Sequence, residues 1–253
     1  MRQTRPVTRL DQSLVERELC ESREKAKRAI LAGQVRVNQQ LARKPSDPVK
    51  PGDTVELVAR EKYVSRGGLK LEHALEHFHL DVSGLTAIDL GASTGGFTDC
   101  LLQRGAARVL AVDVGRGQLA WKLRHDPRVV VMERTNARAL KLSDLPPPAL
   151  PADLVVIDCS FISLRKILPA AVALSHPSAR IIALIKPQFE AGKAEADRGA
   201  GVIRDPAIHE RVLSELNEFA TGPLGLRWAG VTESPAPGPA GNKEFLALIE
   251  KLG

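Results

Sequence analysis

Two acidic and two basic residues stand where predicted strands or helices begin or end, and such residues could move a proton or orient a hydroxyl group. Asp158 ends an apolar strand in LVVIDCSFISL, and Lys186 ends another in IIALIKPQFE, directly before Pro187. Lys70 opens a predicted helix, and Glu244 starts the last predicted strand. A lysine beside a second cation can act as a general base, and carboxylates can orient it. These four residues are therefore the candidate catalytic group.

Each member of the group also has an ordinary structural explanation. An aspartate at a strand end, such as Asp158, often caps the next helix. An apolar strand that ends in Lys-Pro is harder to explain by folding alone, which favours a functional Lys186. The other two residues, taken singly, are ordinary surface charges, with Arg66 and Lys243 as nearby competitors.

A glycine-rich loop follows the first predicted strand of the main body. The segment 87–97, AIDLGASTGGF, reads as a strand, a turn and the start of a helix. Glycines let the backbone approach a ligand, and a helix N-terminus favours a negative group; a turn that binds nothing is the structural alternative. The dinucleotide pattern G-x-G-x-x-G is matched poorly, because Ser93 stands where its second glycine belongs. Asp113 ends the next strand and suits a ribose diol, which several cofactors share.

Alternating strands and helices must position these residues. Beyond residue 68, strands are predicted at 86–90, 108–114, 129–133, 154–158 and 180–186, and helices at 69–79, 96–104, 117–124, 163–175 and 205–220. Apolar strands that alternate with helices predict an α/β fold with a parallel sheet covered on both faces. Two final strands, 227–232 and 244–249, predict an antiparallel edge. Ligands of such sheets bind at the carboxyl ends of the strands, where the candidate residues lie.

The first quarter of the chain carries the whole excess of positive charge. Residues 1–66 contain 15 Lys and Arg against 9 Asp and Glu, whereas residues 67–253 contain 21 of each. The segment has the apolar periodicity of two short helices and a hairpin, with Ser22 as an N-cap. A folded basic segment on a neutral body indicates a polyanion-binding domain, and a tail that only aids solubility fits poorly.

The N-terminal segment resembles the S4-like RNA-binding domain. RLDQSLVERELCESREKAKRAILAGQVRVN, which begins at Arg9, matches the family pattern R-L-D, S-R and I-x-x-G-x-V-x-V-N, with Gln39 where a glycine is usual. The resemblance implies that the second helix and the following strand present basic side chains to RNA phosphates. With two flanking arginines, the predicted RNA-binding residues are Arg9, Arg23, Lys27, Arg28, Arg36 and Arg66.

The main body resembles FtsJ-like methyltransferases, and the whole chain resembles the TlyA, or hemolysin A-like, family. The words IDLGASTGGFTDCLL, SRGGLKL, DCSFISL and IKPQFE carry the resemblance. It implies a Rossmann-like class I methyltransferase sheet, S-adenosyl-L-methionine as cofactor, and a Lys-Asp-Lys-Glu tetrad in which Lys186 is the central base or steering group. The implied cofactor-binding residues are Asp89, Gly91, Ala92, Ser93, Gly95, Gly96, Phe97, Asp113, Val114 and Asn136.

The resemblance also implies the domain organisation and the reaction. A small α+β S4-like domain is expected at 1–59, a linker at 60–68 and the methyltransferase domain at 69–253. The expected reaction is 2′-O-ribose methylation of cytidine in ribosomal RNA, with ribosomal RNA or either ribosomal subunit as partner.

Three other functions compete with this interpretation. A non-catalytic RNA-binding or ribosome-assembly factor would be favoured by substituted tetrad residues, and all four candidates are present. A cytolysin is suggested by the family's hemolysin label. A base methyltransferase would more often have a cysteine nucleophile or an N/D-P-P-Y motif at the strand ends, where neither is predicted.

Composition narrows the remaining possibilities. The three cysteines, Cys20, Cys100 and Cys159, form neither a disulfide framework nor a zinc pattern, so we expect buried thiols and no metal. No apolar run approaches the roughly 20 residues that span a bilayer, and the basic N-terminus predicts no secretory signal. We therefore expect a cytoplasmic protein that does not bind membranes. No exposed apolar stripe stands out in the sequence, so the oligomeric state stays open.

Overall fold

The computed structural model of the chain describes residues 7–58, 62–147, 150–192, 195, 197 and 199–252. Its backbone divides into two units, residues 1–61 and 62–253. Parts of the expected domains lie outside the described residues: positions 1–6 and 59 of the N-terminal domain, 60 and 61 of the linker, and positions 148, 149, 193, 194, 196, 198 and 253 of the main body.

The N-terminal unit packs two short helices against small antiparallel sheets. Its elements are β1 (Thr8–Arg9), α1 (Leu10–Glu16), α2 (Arg23–Leu31), β2 (Val35–Val37), β3 (Gln40–Leu41), β4 (Pro48–Val49) and β5 (Val55–Leu57). The strand order of the larger sheet is β3-β2-β5, and β1 pairs with β4. Ser22 caps α2 as predicted, because its hydroxyl accepts a hydrogen bond from the Lys25 amide. Apolar residues of both helices and of β2, including Leu14, Ile30 and Val35, form the core.

The second unit is a seven-stranded sheet with helices on both faces. Its elements are α3 (Gly67–His77), β6 (Thr86–Leu90), α4 (Gly96–Gln103), β7 (Arg108–Val112), α5 (Trp121–Arg124), β8 (Val129–Met132), β9 (Ala152–Ile157), α6 (Leu168–Leu174), β10 (Ser175–Ile185), α7 (Pro187–Glu190), α8 (Pro206–Thr221), β11 (Arg227–Glu233) and β12 (Phe245–Glu250). The strand order is β11-β12-β10-β9-β6-β7-β8. The strands from β10 to β8 are parallel, whereas β12 is antiparallel to both of its neighbours. The predicted Rossmann-like sheet with an antiparallel C-terminal edge is confirmed.

Successive side chains of each strand point to opposite faces of the sheet, so a separate core forms on each face. In β9, Val155 and Ile157 join the core that α6 and α8 cover. Leu154 and Val156 join the core beneath α3 and α4. Burying one such side chain stabilises the fold by roughly 1.5–3 kcal/mol, so the two cores hold the strand ends firmly.

Two predicted helices are shorter than expected. Helix α5 begins at Trp121 and not at Gly117, because Gly117 has a left-handed φ of 69° and donates its amide to Glu133. The helix predicted at 163–175 is interrupted after a 3-10 turn at Leu164–Lys166, and Ser175 already begins β10.

Within the described ranges, no helix combines the length and the apolar composition that crossing a membrane requires.

Candidate active site

The carboxyl ends of the parallel strands meet at one edge of the sheet, and the catalytic candidates lie there. The residues that follow β6, β7, β9 and β10 are Gly91, Asp113, Asp158 and Lys186. Glu244 precedes β12, which runs in the opposite direction. Because Phe245 pairs with Ile185, Glu244 reaches the same edge.

The four catalytic candidates form two ion pairs around one cavity. Lys186 Nζ lies 2.6 Å from Oδ1 of Asp158, and Lys70 Nζ is paired with Oε2 of Glu244. All four side chains line a cavity of about 270 Å³. Lys70, Lys186 and Glu244 are at most 8% exposed, so water screens their charges weakly. This arrangement can hold a lysine nitrogen at a fixed position beside a bound molecule.

Ser160 joins this group, although sequence reasoning missed it. Lys186 Nζ donates a hydrogen bond to Oγ of Ser160 at 2.8 Å. A lysine ammonium has three donors, so the contacts with Asp158 and Ser160 leave one for a further partner. No spacing signal marks this serine, because its contact depends on the path of the backbone after β9.

Phe161 projects from the same turn into solvent. Its side chain is 90% exposed, and its φ is 62°, a left-handed conformation that is uncommon for a bulky residue. Its ring centroid lies 5.1 Å from that of Phe189 in α7. The pair presents an aromatic surface on which a planar group could stack. No spacing signal marks Phe161, because one phenylalanine after a strand is ordinarily a core residue.

The glycine-rich loop leaves no room for side chains. A β-carbon on Gly91, whose φ is 90°, would lie 2.7 Å from the backbone oxygen of Asp158. A β-carbon on Gly96 would lie 2.9 Å from the amide nitrogen of Gly68. Glycine is therefore required at both positions, because the loop packs directly against the backbone of its neighbours.

Asp89 offers a buried carboxylate oxygen to the same cavity. Its Oδ2 accepts hydrogen bonds from the amide and the hydroxyl of Thr98, at 3.0 and 2.7 Å. Its Oδ1 has no hydrogen-bond partner among the residues that the structure describes. Burial raises the pKa of Asp89 to about 7, the Thr98 bonds oppose this, and repulsion from Asp158 and Asp113 adds to it. A buried acceptor without a partner is costly, so this oxygen suits a donor that a ligand supplies.

Asp113 connects the loop to a second cavity, of about 510 Å³. Its two carboxylate oxygens accept hydrogen bonds from the Ser93 amide at 2.8 Å and the Gly115 amide at 2.7 Å. The bond to Asp113 stabilises Ser93 in a left-handed conformation, with a φ of 49°, which residues other than glycine rarely adopt. The lining of this cavity is mostly apolar and includes Val112, Val114, Asn136, Ile162 and Ile167.

These features fit S-adenosylmethionine, the cofactor that the sequence implies. The free oxygen of Asp89 suits the methionine ammonium, Asp113 suits the ribose diol, and the apolar walls of the second cavity suit adenine. Nine of the ten predicted cofactor residues line one of the two cavities. The exception is Gly95, which packs against α5: a β-carbon there would lie 2.3 Å from Cδ1 of Leu123.

Cys159 is the second residue beyond β9, close to the strand ends where the sequence predicts no cysteine nucleophile. It lines the second cavity, and its thiol donates a hydrogen bond to the Leu90 carbonyl at 3.4 Å. Burial raises the pKa of Cys159 to about 12, so the thiol stays protonated at neutral pH. A protonated thiol is a poor nucleophile, which argues against base methylation through a covalent cysteine adduct. Across the described part of the chain, no group of three or more His, Cys, Asp or Glu residues could hold a metal ion.

The predicted RNA-binding residues of the N-terminal unit remain accessible. Four of them are exposed and the fifth is half-buried: Arg9, Arg23, Arg28 and Arg36, with Lys27 as the fifth. The buried carboxylate of Asp11 accepts hydrogen bonds from Arg9 at 3.0 Å and Arg23 at 2.9 Å, and these bonds hold its pKa at about 2. The sixth residue, Arg66, lines the catalytic cavity of the second unit.

Both units of the chain are similar to known protein families. The family model for the FtsJ-like methyltransferase matches residues 63–251, and that for the S4 domain matches residues 8–55. The chain is 48% identical, over 95% of its length and 89% of the relative's, to a Mycobacterium tuberculosis protein named 16S/23S rRNA (cytidine-2'-O)-methyltransferase TlyA. It is 41% identical, over 94% of its length and 98% of the relative's, to hemolysin A of Brachyspira hyodysenteriae. A solved Streptococcus thermophilus structure described as a hemolysin has a TM-score of 0.74 and 44% identity, covering 98% of this chain and 89% of that one.

Proposed function

The chain belongs to the family of FtsJ-like methyltransferases, and we propose that it methylates the ribose 2′-hydroxyl of cytidine in ribosomal RNA. It is an S-adenosylmethionine-dependent enzyme, and its S4 domain makes RNA its class of substrate. The name of the Mycobacterium tuberculosis relative supports cytidine and the 2′-oxygen as the finer assignment.

One observation carries this proposal: Lys186, held by Asp158 and Ser160, lines the same cavity as the glycine-rich loop and Asp89. The intact group speaks against a binding factor that has lost catalysis.

The residues of the cavity have separate tasks in the proposed reaction. When bound, S-adenosylmethionine supplies an activated methyl group on a sulfonium centre. As an ammonium, Lys186 donates its remaining N–H to the 2′-oxygen and orients an oxygen lone pair toward the methyl group. As a neutral amine, its lone pair occupies that position and takes up the hydroxyl proton when the O–H bond breaks. Asp158 and Ser160 hold the lysine nitrogen in place. The buried pair of Lys70 and Glu244 lines the same cavity and supplies a second cation.

The aromatic pair of Phe161 and Phe189 supports an unpaired nucleotide as the acceptor. A base that leaves its helix loses stacking, and an exposed aromatic ring can replace it. We propose that the base of the target cytidine stacks there while its ribose enters the cavity beside Lys186. We propose ribosomal RNA or an assembled subunit as the natural partner, and the cytoplasm as the location of the enzyme.

The test is transfer of labelled methyl from S-adenosylmethionine to unmodified ribosomal subunits and to naked ribosomal RNA, followed by nuclease digestion and nucleoside analysis. We expect label in 2′-O-methylcytidine. Preference for subunits over naked RNA would indicate recognition of assembled shape. Label in a base, or no transfer while the protein binds the cofactor, would overturn the proposal.

A further inference from the structure

Helix α5 exposes a tryptophan beside the cofactor loop. The Trp121 side chain is 75% exposed, although tryptophan is the largest apolar residue. Its ring stacks against that of His125 with centroids 4.3 Å apart, at an angle of 31°. His125 is held in place because its Nδ1 lies 2.8 Å from the Trp121 carbonyl oxygen. The two rings therefore form a preformed aromatic surface that faces solvent.

Packing does not account for this tryptophan. The side chains that fasten α5 to the body are Leu119 and Leu123, which are 6% and 3% exposed. Both lie close to Gly95 of the cofactor loop. Trp121 points away from this contact, and no described residue accepts a hydrogen bond from its indole N–H. Tryptophan is enriched at interfaces, because its ring buries a large area while its N–H can bond to a partner, so the paired rings of Trp121 and His125 suit a partner that stacks.

The charge around the two rings favours an anionic partner. Residues 116–128 contain four Lys and Arg, and Lys122, Arg124 and Arg128 pair with carboxylates, so the cation left for a partner is Arg116. Glu133 joins the two ends of this segment, since it accepts a hydrogen bond from the Gly117 amide and pairs with Arg124. Arg116, which precedes Gly117, is exposed and forms no ion pair with a described residue.

We infer that Trp121 and His125 are a stacking platform for an unpaired base of the RNA substrate, separate from the target nucleotide. This inference rests on the proposed function. Aromatic rings combined with cations are the usual means of holding unpaired RNA, because every base has a face that can stack. The strand before α5 is β7, and Lys186 follows β10, three strand spacings or roughly 14 Å away. A base on the platform is therefore a different one from the base whose ribose meets Lys186.

The chain offers a direct test because it contains two tryptophans. In a Trp228→Phe background, Trp121 is the sole indole fluorophore, and we expect unmodified ribosomal RNA to quench its emission. Trp121→Ala should raise the KM for ribosomal RNA about tenfold or more and leave the affinity for S-adenosylmethionine unchanged. Trp121→Phe, which keeps an aromatic face, should restore most of the RNA affinity. Val231→Ala, at a 37% exposed apolar side chain on β11, is the matched control.

The outcomes separate this inference from the proposed function. Unchanged emission at saturating RNA, or a Trp121→Ala variant with the wild-type KM for RNA, would overturn the platform even if methylation proceeds. Quenching by RNA without methyl transfer by the wild-type protein would support the platform and overturn the proposed reaction. If Trp121→Ala and Trp121→Phe each lost affinity for the cofactor, Trp121 would have a role in packing the cofactor loop, and the inference would be overturned.

Discussion

Lys70 and Glu244 form a buried ion pair although 174 positions separate them in the sequence. Lys70 lies near the start of α3, and Glu244 directly precedes β12. The carboxylate is confined further by Gly238, where a β-carbon would lie 2.4 Å from Oε1 of Glu244. One wall of the catalytic cavity is thus built from both ends of the second unit.

We expect Glu244→Gln to cost about 3–5 kcal/mol of unfolding free energy, because it leaves the Lys70 charge buried without its partner. Urea denaturation measures this. The double variant Lys70→Met with Glu244→Gln should recover part of the stability but not the activity. Glu233→Gln is the control: its partner Lys243 is exposed, so the change should cost less than about 1 kcal/mol. Equal effects of the two single variants would contradict the burial argument.

Lys186→Ala should lower the rate of methyl transfer by about 10²–10⁴-fold, the usual contribution of a group that moves a proton. Cofactor affinity, measured by calorimetry, should be nearly unchanged, because the residue is proposed to contact the acceptor. Lys243→Ala, at a nearby exposed lysine, should keep normal turnover. Near-normal turnover of Lys186→Ala would show that the tetrad assignment is wrong.

Cofactor affinity should rise between about pH 6 and pH 8. With its pKa raised to about 7 by burial, Asp89 is largely protonated at the lower pH, and its ionised form accepts from an ammonium group more strongly. Asp89→Asn should bind more weakly and with less dependence on pH. Methylthioadenosine lacks the amino-acid half, so its affinity for the wild-type protein should stay flat over the same range. If the affinities for both ligands were independent of pH, Asp89 would not be the group that binds the ammonium.

Gly91→Ala should abolish cofactor binding and destabilise the fold by roughly 1–3 kcal/mol, because its left-handed φ is unfavourable for alanine. Its β-carbon would also press on the backbone of Asp158. Equilibrium dialysis and thermal unfolding measure the two effects. Gly52→Ala provides the comparison, since a β-carbon there has no neighbour within 4 Å. If both variants bound the cofactor normally, the close approach of ligand and loop would be refuted.

Arg28→Ala and Arg36→Ala should weaken binding to ribosomal RNA and lower the slope of log affinity against log salt by about 0.7–0.9 each, as expected for the loss of one phosphate contact. Filter binding at several salt concentrations measures the slope. Arg211→Ala is a suitable comparison, because that guanidinium already pairs with Glu195 and Glu215. Slopes that match the wild type would remove these arginines from the RNA surface.

Much of the fold could be predicted because each strand of the sheet is an apolar run between clear turn signals. Strand β6 occupies the predicted range, Thr86–Leu90. Strand β10 begins at Ser175, five residues before the predicted start, because its early residues pair irregularly with β9. Such pairing depends on the neighbouring strand and leaves no periodicity in the sequence.

The site could be anticipated where chemistry and strand ends coincide, as at Asp158 and Lys186. The pairing of Lys70 with Glu244 follows from the direction of β12, which no local pattern encodes. Ser160 and Phe161 were missed because their positions depend on a turn with a left-handed residue. Trp121 was hidden inside a predicted helix whose first four residues are not helical.

The reversed direction of β12 has a consequence for synthesis of the protein. Translation yields Lys70, Asp158 and Lys186 well before Glu244, so a nascent chain that lacks this strand has an open cavity and an unmatched buried lysine. Glu244 is therefore the last of the four residues to join the catalytic centre.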